Sequence, residues 1–181
     1  QLKTKKEGLF NLRFNISDET EDNAEGFDSI TEQKFFYMLA VNFYSYYGDY
    51  NKSAVYALNR LKLLPEKITV EKTPALALEK SIIFNSLANI EYNNGNYDSS
   101  AIYIDSSLLL AYGLKDEYGI MANLLNALKI IDEQKTNLAA EKIIEKLDFY
   151  RNIFKTARIT NIYSEFRVST AFAYLYYFIF N

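Results

Sequence analysis

Neither cysteine nor histidine occurs anywhere in the chain. The first absence excludes disulfides, thiolate zinc sites and thiol nucleophiles together, and it leaves the compartment open between cytoplasm and periplasm. The second removes the usual general base and the commonest metal ligand, so that any chemistry would fall to carboxylates, lysine and tyrosine. A dense basic block is missing as well. Lysine and arginine number 20 against 23 aspartates and glutamates, a formal charge of −3, and nothing tracks a phosphate backbone. These absences point away from an enzyme, a cofactor, a metal and a nucleic-acid partner.

What the chain does contain is enough for one domain with a continuous core, since 181 residues are 49% apolar. It starts at Gln1 and stops directly after the apolar run 171–180, and so reads as a piece of a longer protein. That run is too short to cross a bilayer by itself and reads as a buried helix end. Residues 1–28 pair a basic start and the short apolar stretch 9–16 with a cluster of carboxylates between Asp18 and Asp28. The cluster lacks the spacing of an EF-hand loop, so the segment is expected to be a linker or the remnant of a preceding helix.

From Ser29 onward, apolar residues recur at helical spacing between short polar breaks. Ser29 and Glu32 form a capping-box pattern, opening a helix that runs to about Tyr47. Gly48 and Asp49 break it, the glycine to take the left-handed conformation and the aspartate to cap a second helix ending near Pro65. Thr73 caps a third, with Pro74 at its first position, reaching about Asn94. Gly95-Asn96-Tyr97 repeats the break, and a fourth helix runs to about Tyr112, ended by Gly113. Asp116 caps a fifth helix to about Gln134; a sixth spans about 138–154 and a seventh begins near Ala157.

The repeated break signals an internal repeat, Gly95 following Gly48 by 47 residues. The stretches FYSYYGDYNKSAVYALNRLKLLP and SLANIEYNNGNYDSSAIYIDSSLLLA resemble tetratricopeptide repeats, as do Leu87-Ala88, Tyr92, Gly95, Tyr97 and Ser100 in one copy and Tyr44, Gly48, Tyr50, Ser53 and Pro65 in the other. A third copy resembles the longer variety of that repeat, with Lys135-Thr136-Asn137 where glycine and tyrosine stand in the others. The resemblance implies an all-α, α-α superhelix of about seven helices, with repeats at about 29–65, 73–112 and 116–154 and a partial one at 157–181.

It also implies a concave groove lined by the first helix of each hairpin, where the family generally binds peptides or protein segments. In this register the groove holds Asn42 and Tyr46 in the first copy, Asn85, Asn89, Tyr92 and Asn93 in the second, and Lys129, Asp132 and Glu133 in the third. Asn85, Asn89 and Asn93 lie one turn apart on one helix face, each amide able to donate to and accept from a peptide backbone. Members of the family that grip a terminal carboxylate use groove lysines, and Met38 stands where the first of these is expected. Helix-packing stripes assign most of the 16 tyrosines to the core.

The leading expectation is a peptide- or protein-binding scaffold, the sensing or interaction part of a larger bacterial signalling protein by analogy with long-repeat members. The alternative is self-association through an open apolar end at 171–180. An enzyme would have only Asp132 and Glu133, and adjacent residues on a helix do not face each other.

Overall fold

A computed structural model describes residues 29–180, with the side chain of Phe180 excepted; the expected linker at 1–28 lies outside them. The described residues are all-helical, with seven helices: α1 (Ile30–Tyr46), α2 (Tyr50–Lys62), α3 (Pro74–Asn93), α4 (Tyr97–Leu114), α5 (Glu117–Gln134), α6 (Ala140–Thr156) and α7 (Ile162–Phe180). They fall into two compact units that divide between Leu63 and Leu64.

In the first unit, the Ser29 hydroxyl accepts from the Glu32 amide while the Glu32 carboxylate accepts from the Ser29 amide, the expected capping box. Along α1, Phe36, Tyr37, Ala40, Val41 and Tyr44 are buried. Tyr56 of α2 stacks on Tyr44 at 5.5 Å and meets Phe36 edge-on. Gly48 has φ of 76°, and the Asp49 carboxylate accepts from the Lys52 amide.

The second hairpin repeats the turn's backbone bonds and the buried-serine contact at a spacing of 47 residues, although Asn96 makes no side-chain capping bond of the kind Asp49 makes. Gly95 has φ of 78°. The Asp49 and Asn96 amides donate to the Tyr44 and Glu91 carbonyls, and the Gly48 and Gly95 amides to Ser45 and Tyr92. Most telling are Ser53 and Ser100, both fully buried. Each hydroxyl donates to a carbonyl twelve residues earlier, Val41 at 3.0 Å and Ala88 at 2.7 Å. A serine here lets the second helix lie against the backbone of the first, because nothing larger separates them. Ser81 and Ser107 add a reciprocal pair, each donating to the other's carbonyl between α3 and α4.

This register corrects one detail of the family likeness. Counting from the glycines, Tyr44 corresponds to Glu91, and Tyr92 to Ser45. Tyr44 is buried, whereas Tyr92 lies half-buried on another face of its helix.

The third hairpin departs further. Ile143 donates its amide to Ala139 as Ser53 does to Asp49 and Ser100 to Asn96. An isoleucine therefore occupies the contact position, and α6 approaches α5 much less closely than α4 approaches α3. Within this unit α3, α5 and α7 run in the same direction. Asn85 meets Asn123 and Tyr92 meets Glu133 between α3 and α5; Glu117 meets Thr160 and Lys135 meets Tyr174 between α5 and α7. The core joins Ile104, Leu108, Leu124, Leu128, Leu147 and Phe172 from α4 to α7.

Several expected boundaries move, each for a local reason. Gly113 does not end α4, which continues to Leu114 and closes on Lys115 at φ of 57°. A Cβ at Gly113 would sit 3.1 Å from Val70 Cγ2, so this glycine serves a close approach and not a chain reversal. Thr73 does not cap α3; its hydroxyl closes the preceding turn by donating to the Thr69 carbonyl at 2.9 Å. Asp116 stands at the N-cap of α5 without a side-chain capping bond. Only Tyr37, Tyr44 and Tyr150 are buried among the 16 tyrosines, so isoleucine, leucine and alanine fill the core and most tyrosines border it. The apolar run at the end is likewise split. Phe172 and Leu175 are buried, but Tyr174, Tyr177 and Phe178 are exposed. No helix among the described residues is long and apolar enough to cross a membrane.

The start of α7 moves from Ala157 to Ile162. Glu117 accepts there from the Thr160 amide at 2.7 Å, the Asn161 amide at 2.8 Å and the Thr160 hydroxyl at 2.8 Å. Those bonds hold its carboxyl below the usual glutamate range. A depressed pKa contributes stability above the unfolded value and loses it as pH falls through the folded one. Glu117→Gln is expected to speed amide hydrogen exchange at Thr160 and Asn161 at neutral pH. The difference from wild type should shrink below the carboxylate range; equal exchange at neutral pH would remove this role.

Candidate functional site

The second unit brings expected groove residues from two repeats onto one face. On α3, Asn85, Asn89 and Tyr92 are placed by the helical repeat beside Asn123, Asn126, Lys129 and Glu133 of α5. Lys129 Nζ sits 3.9 Å from the centre of the Tyr92 ring, and the Tyr92 hydroxyl donates to Glu133 Oε1 at 2.7 Å. Burial, with the hydrogen bond to the Glu133 carboxylate, pushes the Tyr92 hydroxyl up to about 12. It therefore stays a neutral donor throughout the physiological range.

The asparagine ladder is wired internally. Asn93 Nδ2 donates to the Asn89 carbonyl, and Asn89 Nδ2 to both the carbonyl and Oδ1 of Asn85. Asn85 Nδ2 donates to Asn123 Oδ1 at 2.6 Å. A helical asparagine can reach the carbonyl one turn back, so part of the donor capacity of this row is spent within the protein. Asp132 pairs with Lys135, away from Glu133, and the two carboxylates share no partner. Lys135 also donates to the Tyr174 hydroxyl at 3.0 Å, and these bonds raise its pKa. Asn42 and Tyr46 are exposed on α1 in the first unit.

Toward the start of the same helices the face opens into a cleft of about 740 Å³. Its walls are apolar: Ala75, Leu78 and Ile82 of α3, and Tyr118, Gly119 and Ala122 of α5. Leu78 and Ile82 are 40% and 50% exposed and Tyr118 is 85% exposed, an apolar lining left to solvent. Ser81, Ser107 and Asn123 form polar points, and Asp116 contributes a carboxylate.

Of the residues expected in the groove, only Asn85 lines this cleft. The signal was present in the sequence. Ala75, Leu78 and Ile82 continue the face of Asn85 toward the start of α3, and the small pair Gly119 and Ala122 continues that of Lys129 on α5. A volume of this size with apolar walls and few polar groups is typical of sites that take an apolar ligand or side chain. No group of three or more carboxylates able to hold a metal ion occurs among the described residues. The site offers donors, acceptors and apolar surface.

Comparison with protein-family models, with curated proteins and with solved structures finds no match to this chain.

Proposed function

We propose that the chain is a tetratricopeptide-like scaffold that binds a protein or peptide segment along the shared face of α3 and α5. The observation that carries this reading is the continuity of that face. An apolar cleft at one end passes into amides and an aromatic–lysine pair at the other, all on two parallel helices. A polypeptide segment needs both kinds of surface, apolar pockets for its side chains and polar groups for its backbone. The repeat of the hairpin at 47 residues and the parallel course of α3, α5 and α7 support the solenoid part of the reading.

Because Ile82 is half exposed, its replacement should leave the fold intact while changing the cleft. Ile82→Arg is expected to weaken peptides retained from a random library about thirtyfold, the consequence of losing about 2 kcal/mol at an interface anchor. Unchanged affinity, with the helical circular dichroism preserved, would count against the cleft as the anchor site.

The exposed aromatics of α7, Tyr163, Phe166, Tyr174 and Tyr177, favour a second reading in which that helix associates with another copy. Sedimentation that shows a monomer at high concentration eliminates it.

A further inference from the structure

The cleft wall carries a side-chain donor, on a largely buried asparagine, that the fold orients and does not use. Asn123 is 2% exposed, lines the cleft and accepts through Oδ1 from Asn85. Its Nδ2 has no hydrogen-bond partner among the described residues.

The direction of this amide is set by the backbone. The Asn85 carbonyl can only accept, so Asn89 must turn its NH2 toward it, and the same NH2 lies 3.0 Å from Asn85 Oδ1. Asn85 consequently presents its NH2 to Asn123, whose oxygen receives it at 2.6 Å. Reversing Asn123 would set two NH2 groups against each other, and reversing Asn85 as well would set its NH2 against that of Asn89. The relay thus ends on an NH2 at the cleft wall, a donor left for water or for an acceptor that enters the cleft.

The charge of the lining limits what carries that acceptor. Asp116 is the charged residue there, and no lysine or arginine lines the cleft. Its carboxylate leans over Gly119, where a Cβ would lie 2.3 Å from Asp116 Oδ2. A terminal carboxylate entering the cleft would lose water and meet a like charge with no cation to offset it.

We infer that the cleft takes an internal, uncharged apolar stretch of a partner polypeptide, with one main-chain carbonyl accepting from Asn123 Nδ2. This rests on the groove reading above and adds to it the chemistry of the occupant and its point of attachment. Short random peptides, made in free-acid and amidated forms, are passed over the immobilised full chain, and those retained are titrated against wild type and variants. Amidated peptides with apolar centres should bind as tightly as the acids, and the Asn123 side-chain NH2 resonance of the wild-type protein should shift on binding. Asn123→Asp keeps the acceptor for Asn85, removes the donor and turns a carboxylate toward any carbonyl that enters. It is expected to weaken binding about tenfold, one charge-free hydrogen bond with its desolvation. Retention that requires the free carboxylate overturns the inference. So does binding that leaves both the NH2 resonance and the Asn123→Asp affinity unchanged; if Ile82→Arg still weakens it, the groove reading survives alone. A chain that retains neither form of peptide sinks both.

Discussion

Replacing Ser100 with isoleucine, the residue that stands at the same place in the third hairpin, is expected to cost about 3 kcal/mol, the upper range for overpacking a tight helix contact. Ser100 is fully buried, and its hydroxyl reaches the Ala88 carbonyl at 2.7 Å. Two further heavy atoms in that space would force α4 away from α3. The displacement would also pull at the reciprocal bonds of Ser81 and Ser107, two turns farther along the same interface. Ser100→Ala should cost only about 1 kcal/mol, since it removes a hydrogen bond and leaves the spacing unchanged. Urea unfolding, read from amide exchange in α3 and α4, separates the two. Equal losses would mean that the hydrogen bond, and not the close approach, is what the serine provides.

Tyr150→Phe is the second large effect, about 2 kcal/mol at neutral pH, within the range for removing a donor from a charged acceptor. Tyr150 is buried on α6, and its hydroxyl donates to Asp105 Oδ1 of α4 at 2.6 Å. Burial raises the Asp105 carboxyl above its usual range, and the bond from Tyr150 and the charge of Lys146 pull it partly back. The Tyr150 hydroxyl itself is pushed up, by burial first and then by the Asp105 charge. A carboxyl with a raised folded pKa contributes stability below its unfolded value and loses it as pH rises through the folded one. Without Tyr150 that loss steepens. The penalty should therefore be greatest at neutral pH and shrink once Asp105 is protonated. Asp105→Asn should flatten the pH dependence, because an amide oxygen can still accept from Tyr150 without a buried charge. A Tyr150→Phe penalty independent of pH would show that Asp105 carries no charge in the folded state.

The elements that could be read from sequence were those fixed by local chemistry. Gly48, Gly95, Asp49 and the Ser29–Glu32 box each act within a few residues, and each performs its expected part. Gly113, Thr73 and Asp116 carry the same local signals and do something else. For Gly113 the deciding contact is Val70, more than forty residues back along the chain, and for Thr73 it is a turn that no periodicity marks. The tyrosines misled for a related reason. A helical stripe shows which residues face inward but not how deep they sit, and α7 leaves Tyr174 and Tyr177 in solvent.

At the candidate site the split is similar. Tyr92, Lys129 and Glu133 were expected on one face, and the structure joins them through a ring and a hydroxyl. The bonding of Asn85 to Asn123 was hidden, because it links residues 38 apart on two helices. That link joins the row of amides on α3 to Asn123 on α5.

The groove itself is tested most directly by mapping where a bound peptide protects the full chain from hydrogen exchange. With a peptide retained from the random library, protection should fall on residues 75–93 and 118–133, leaving α6 as it was. Protection confined to α7, or none at all with binding saturated, would contradict the account.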